Sequence, residues 1–170
     1  MWNYEKRLQY PVNIRNPDGR IAQIIMSQYG GPDGEIGASL RYLSQRYSMP
    51  CKKVAGLLTD IGTEELAHME MICAMIYQLT KNMTIDDART AGFDAYYVDH
   101  TSALWPTAPA GIPFNACEFH SNGDAIPDLT EDLAAEQTAR NTYDKLLHLT
   151  KDPDMQHTPP FPRTRELRHF

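Results

Sequence analysis

The chain has 170 residues, 42% hydrophobic and 22% charged, enough for one folded domain with a full core and too apolar for disorder. Sixteen Lys and Arg against 22 Asp and Glu give a net charge of −6 with no basic cluster, which argues against a nucleic-acid partner. The longest apolar run, Met71 to Tyr77, is far short of the ~20 residues that span a bilayer, and the charges in MWNYEKRLQYPVN do not suit a secretory signal.

Three scattered cysteines (Cys51, Cys73, Cys117) form no C-x-x-C pair, which excludes a disulfide framework and suits a reducing, cytoplasmic setting. Residues 1–19 carry Pro11 and Pro17 without helical period and are expected to form an extended arm. A helical pattern starts at Arg20 and meets Gly30, Gly31 and Pro32, which predict a kink before a second piece over 33–47. Ser48 is the expected cap of the next helix, over 49–80, with Pro50 tolerated in its first turn. In that helix Cys73 reads as core, and Met69, Met71 and Met75 as core filler. Residues 81–127 change character. Thr84 and Asp87 make a capping-box pattern for a short helix ending near Gly92, and a long, irregular, Pro-rich crossover follows. Helix signals return over 128–150, with Thr130 as candidate cap and Glu131 and Asp132 suited to a first turn. Beyond Pro159, Pro160 and Pro162, the segment RTRELRHF is helical by propensity. The expected architecture is all-α: a ferritin-like four-helix bundle with one long crossover, a single domain over 1–170 whose last helix is truncated at Phe170.

Two Glu-x-x-His pairs stand out, Glu65 with His68 and Glu166 with His169, where chance supplies well under one. Residues three apart share a helix face, so each pair can aim a carboxylate and an imidazole at one point. The spacing repeats: Glu35 precedes Glu65 by 30 residues, as Glu136 precedes Glu166, and Tyr42 and Tyr143 each follow their glutamate by seven. All four correspondences hold at an offset of 101, the mark of one helical hairpin used twice. One Glu from each of two helices and Glu-x-x-His from each of the others describes a dinuclear carboxylate site. Carboxylates with imidazole suit manganese or iron, and burying four carboxylates without metal would be costly. Any single glutamate reads better as a surface charge; the whole constellation does not. Tyr42, Tyr143 and Asp132 are candidates for supporting the ligands from behind, Arg140 is expected in a surface pair, and His100, His120, His148 and His157 read as solvated or structural.

At these residues the chain resembles the manganese catalases, more closely their spore-coat branch. The resemblance rests on LQYPVNI, QYGGPDGEIGASLRYLSQRYSMP, GLLTDIGTEELAHMEM, GFDAYYVDH and DLAAEQTARNTYD, and covers nearly the whole chain. It implies two manganese ions and the conversion of hydrogen peroxide to water and dioxygen. It implies Glu35, Glu65 and His68 on one metal, Glu136 and His169 on the other, and Glu65 bridging. Glu166 would be the catalytic acid/base beside the metals and not a ligand, a distinction that spacing does not make. A homo-oligomer (a hexamer in the family), other spore-coat proteins as partners and a spore-coat location are implied in the same way. The chain departs from the pattern at Ala135, where some relatives carry Arg, and at its end one residue after His169. Two other readings stand beside the enzyme: a coat component with this fold and weak or no catalysis, and a diiron ferritin-like oxidase.

Overall fold

The computed structural model describes residues 4–92, 104–157 and 169. The principal helices are α1 (Gly19–Gly30), α2 (Glu35–Gln45), α3 (Lys52–Thr80), α4 (Ile85–Ala91), α5 (Ala125–Leu149) and α6 (Pro153–His157). Among the described residues the only strand-like feature is an isolated bridge between Thr107 and Pro113. Glu166, the rest of segment 163–168, and His100 lie outside the described residues.

Asp18 caps α1 by accepting from the backbone N–H groups of Arg20 and Ile21. The expected break at Gly30–Pro32 is present: α1 ends, the chain turns, and α2 restarts at Glu35. Gly30 is required there for a tertiary reason. A Cβ on it would stand 2.4 Å from the backbone nitrogen of Thr107, so the crossover seats directly on the helix end. The broken α1–α2 pair packs along α3, while α5 lies against both α1 and α2.

Two expected caps are wrong. Helix α3 begins after Cys51 and not at Ser48, whose hydroxyl donates to the carbonyl of Gln45 instead. Pro50 disfavours helical geometry in the residue before it, and Met49 is extended (φ −69°, ψ 142°), so the helix starts only beyond the proline. Helix α5 begins at Ala125, capped by Asp124, while the Thr130 hydroxyl donates to Ile126 within the helix. Pro127 is tolerated because first-turn N–H groups lack helical partners. Glu131 and Asp132 therefore fall in the second turn, and Asp128 is the acidic first-turn residue. The Thr84–Asp87 capping box is present, and α4 stops at Gly92 in the left-handed region (φ 71°).

The main core joins Ile21, Ala22, Ile25 and Met26 of α1 to Met71, Ile72, Met75, Ile76 and Leu79 of α3, with Tyr143 and Leu146 of α5. Met71 and Met75 are core filler as expected, whereas Met69 and Cys73 are half-buried, with Tyr29 beside the Cys73 thiol. The arm is extended and held down. Val12 and Ile14 enter the core, Gln78 bonds to the backbone of both, and Arg15 forms a double ion pair with Asp154.

Two glycines give opposite expectations. Gly30→Ala should destabilise the fold by about 1–3 kcal/mol, because backbone must shift to admit the methyl group. Gly56→Ala, in α3 with nothing within 4 Å of the new carbon, should stabilise it by about 0.5–1 kcal/mol through helix propensity. Chemical denaturation of the two variants beside the wild type checks both signs.

Candidate metal centre

The break between α1 and α2 puts Glu35 at the first position of α2, where the positive end of the helix favours a carboxylate. Glu65 and His68 come from one face of α3, and Glu136 from α5. His169 reaches the same point from the far end of the chain. All five are enclosed: Glu35, Glu65, His68 and Glu136 are buried, and the His169 side chain is only 4% exposed. Five of the six glutamates and histidines named from spacing thus converge, and the sixth, Glu166, lies outside the described residues.

They form two overlapping sets. In one, donor atoms of Glu35, Glu65 and His68 lie within 4.8 Å of one another; in the other, those of Glu65, Glu136 and His169 do. Glu65 belongs to both. Its Oε2 is 2.7 Å from Nδ1 of His68, and its Oε1 is 2.8 Å from Nδ1 of His169. Glu35 stands 3.7 Å from the first imidazole and Glu136 3.6 Å from the second. The two rings lie nearly parallel, 5.9 Å apart, with Nδ1 edges facing the shared carboxylate.

The tyrosines are exchanged between the halves. Tyr42 of α2 donates its hydroxyl hydrogen bond to Glu136 of α5, and Tyr143 of α5 donates to Glu35 of α2. Spacing placed each tyrosine on the face of its own glutamate; the partner it serves is across the bundle. Asp132 behaves differently, buried beside Gln45 and Arg41. Burial pushes its carboxyl up to about 7 against the opposing pull of those neighbours. Ala135 is buried, leaving no charge of its own beside Glu136. Arg140 pairs with Asp144 on the surface, and His120 is largely exposed near Glu131.

The electrostatics follow from crowding without water. Burial and the charge of Glu65 raise Glu35 to about 7. For Glu65, burial acts upward, but the charge of His68 and the two imidazoles beside its oxygens hold it well below the ordinary carboxylate range. Burial lowers an imidazole, yet Glu65 and Glu35 lift His68 to about 10, and Glu136, Glu64 and Glu65 lift His169 to about 12. Burial, then the charge of Glu136, pushes Tyr42 well above the ordinary range, so its proton stays on the hydroxyl.

Oε1 of Glu65, Oε2 of Glu136 and Nδ1 of His169 are buried and make no well-formed hydrogen bond. These belong to the three residues of the second set, as donors held ready for a cation would be. Carboxylate oxygens with imidazole nitrogens suit manganese or iron. Spacing missed Glu64 and Gln9. Oε2 of Glu64 lies 3.1 Å from Nε2 of His169, on the edge away from Glu65, and Gln9 of the arm donates to Oε1 of Glu64 at 2.6 Å. The paired glutamates at 64 and 65, four and three residues before His68, were the available signal; Gln9 left none.

Comparison with known proteins gives the same fold and a family. The model for manganese containing catalase matches residues 1–170. The chain is 52% identical to Protein CotJC of Bacillus subtilis (strain 168), over 99% of this chain and 89% of that one. It is 32% identical to a probable manganese catalase of Clostridium acetobutylicum, over 99% and 76% respectively. The crystal structure of wild-type KatB, a manganese catalase from Anabaena, superposes with a TM-score of 0.87 at 31% identity, covering 99% of this chain and 76% of that one. The helices are therefore those of a ferritin-like bundle, and the chain belongs to the manganese-containing catalase family, in the branch that includes CotJC.

Proposed function

We propose that this chain is a dimanganese catalase that disproportionates hydrogen peroxide to water and dioxygen, in or associated with a spore coat. The observation that carries the reading is the pair of buried donor sets sharing Glu65, in which carboxylate oxygens and imidazole nitrogens crowd one enclosed volume. Glu35, Glu65 and His68 would hold one ion, Glu136, Glu65 and His169 the other. Manganese is preferred to iron because the matching family and the superposed structure are manganese catalases. The coat setting rests on the 52% identity with CotJC and on the spore-coat motifs in the sequence, and homo-oligomerisation on the family resemblance. The same likeness favours one second reading, a coat component that keeps the fold with little turnover.

Held by these residues, a metal pair would supply two-electron redox chemistry. The chain's own residues do the rest. Tyr42 and Tyr143 occupy one oxygen each of Glu136 and Glu35, leaving the second oxygen of each carboxylate to point at the shared volume. Glu65 spans both imidazoles with its two oxygens, fixing the separation of the two sets. The apolar core packed around Tyr143 limits access of bulk water from that side. By resemblance, Glu166 would take up protons released from the peroxide that is oxidised and return the same number to the peroxide that is reduced to water.

Protein purified without added metal should contain up to two manganese per chain and release dioxygen from peroxide; manganese without dioxygen would favour the coat component. Glu65→Ala should lose most of both ions, because the residue serves both sets, and elemental analysis of that variant checks it.

Glu166→Gln should keep its manganese while peroxide turnover falls by roughly 10²–10⁴-fold, the range for a positioned acid/base. Loss of metal equal to that in Glu65→Ala would make Glu166 a ligand.

Proton release gives a third measurement. At neutral pH the metal-free site holds protons on His68 and His169 and partly on Glu35, all raised. A metal ion must displace them, so manganese affinity should rise with pH, with about two protons leaving per pair of ions. Calorimetric titration in buffers of different ionisation enthalpy counts them. For the same reason these three groups stabilise the metal-free fold most at low pH. The imidazole contribution is complete below 6.5 and is lost as pH rises towards about 10 and beyond.

A further inference from the structure

We propose that Glu64 is the positioning residue for His169, and that the N-terminal arm, through Gln9, holds Glu64 in place. The inference rests on the two-metal reading above and extends the site from its five inward-facing side chains to a carboxylate behind them and a segment of the arm.

The argument is geometric. Each imidazole has two nitrogens, and only one can face the metal volume. In both His68 and His169 that nitrogen is Nδ1, since Glu35, Glu65 and Glu136 all lie on the Nδ1 side. The opposite edges point to Glu64. Its Oε2 stands 3.1 Å from Nε2 of His169, within hydrogen-bond reach, while its Oε1 stands 4.0 Å from Nε2 of His68, outside it. Glu64 therefore acts on one ring. A carboxylate accepting from Nε2–H keeps the proton on Nε2, leaves the Nδ1 lone pair for a cation, and fixes the ring plane.

The two histidines differ in how their backbones are secured. His68 lies deep within α3, a 29-residue helix, and needs little help to keep its orientation. His169 lies outside the long helices, and its ring is flanked on both edges by side chains of α3. Glu64 is one residue before Glu65, so α3 presents carboxylates on both sides of the His169 ring: Glu65 at 2.8 Å from Nδ1 and Glu64 at 3.1 Å from Nε2. The Gln9 amide donates to the other Glu64 oxygen at 2.6 Å, which selects the rotamer that reaches His169. The arm is itself anchored to α3 by Gln78 and to α6 by the Arg15–Asp154 ion pair. A continuous chain of hydrogen bonds thus runs from the arm, through Glu64, to the ring.

The test is a manganese(II) chloride titration of metal-free protein, followed by the electron paramagnetic resonance signal of free aqueous Mn(II), which resolves two successive affinities. Glu64→Leu should weaken the ion of the second set, held by Glu65, Glu136 and His169, about 10–100-fold and leave the other near wild type, the loss typical of removing an outer partner of a metal-binding histidine. Glu64→Gln retains an oxygen that accepts from Nε2–H and should restore the second affinity to within a few-fold of wild type. Gln9→Leu leaves every residue of the two donor sets intact and should give a smaller loss, again confined to the second ion. Two wild-type affinities in Glu64→Leu, or equal losses in Glu64→Gln and Glu64→Leu, would overturn the proposal. If Glu64→Leu does not fold, as judged by circular dichroism, the Gln9→Leu titration decides alone, and an unchanged second affinity there overturns the arm's part. A wild type that binds fewer than two ions removes the two-metal reading itself, a result distinct from any variant's failure.

Discussion

Three carboxylates and two imidazoles within a few ångströms, shut away from water, impose a constraint that much of this bundle is arranged to meet. Like charges so placed repel, and each loses its hydration. Metal-free, the chain meets the constraint with protons: the imidazoles carry them far above their ordinary range, and Glu35 holds one near neutrality. Positive charge at this point, from imidazolium or from divalent ions, offsets the crowded carboxylates.

The constraint also accounts for how the helices are cut. Were α1 and α2 one continuous helix, Glu35 would lie in a helix interior with no free N–H groups nearby. The break at Gly30–Pro32 gives it a helix N-terminus, and the crossover at Pro106 and Thr107 packs into the space left by the missing side chain of Gly30. The stability lost in a broken helix is recovered by packing on α3 and by apolar burial around Met71, Ile72, Met75 and Ile76. The main core is built of aliphatic side chains and methionines, with Tyr143 among them. Beside it lies a second buried polar group, Arg41, Gln45 and Asp132, held between α2 and α5.

How much of this was legible in the sequence depended on the range of the interaction responsible. The break, the Thr84 capping box and the Gly92 stop are local chemistry and could be read directly. So could the convergence of Glu35, Glu65, His68, Glu136 and His169, because helical periodicity and a repeated interval of 30 project into space without knowledge of loops. Ser48 and Thr130 misled because several adjacent residues could cap, and the deciding influences were Pro50 and Asp124. The tyrosine partners were beyond reach, since spacing gives the face of a helix but not what stands opposite. Gln9 was invisible for a similar reason: a lone glutamine 55 residues from its partner has no pattern.

The crossed tyrosines carry a consequence for origins. Tyr42 serves Glu136 and Tyr143 serves Glu35, an exchange in which the second contact is the first with its two halves interchanged. That is the logic of an isologous interface, where one patch meets its own copy across a two-fold axis. Two identical hairpins, each with a Glu, a Tyr seven residues later and a Glu-x-x-His on the next helix, would reproduce this centre at the seam of a homodimer. In such an ancestor one tyrosine would have been selected twice over, because symmetry supplied its counterpart. The two halves are nonetheless distinct in this chain: Arg41 of one stands where Thr142 stands in the other.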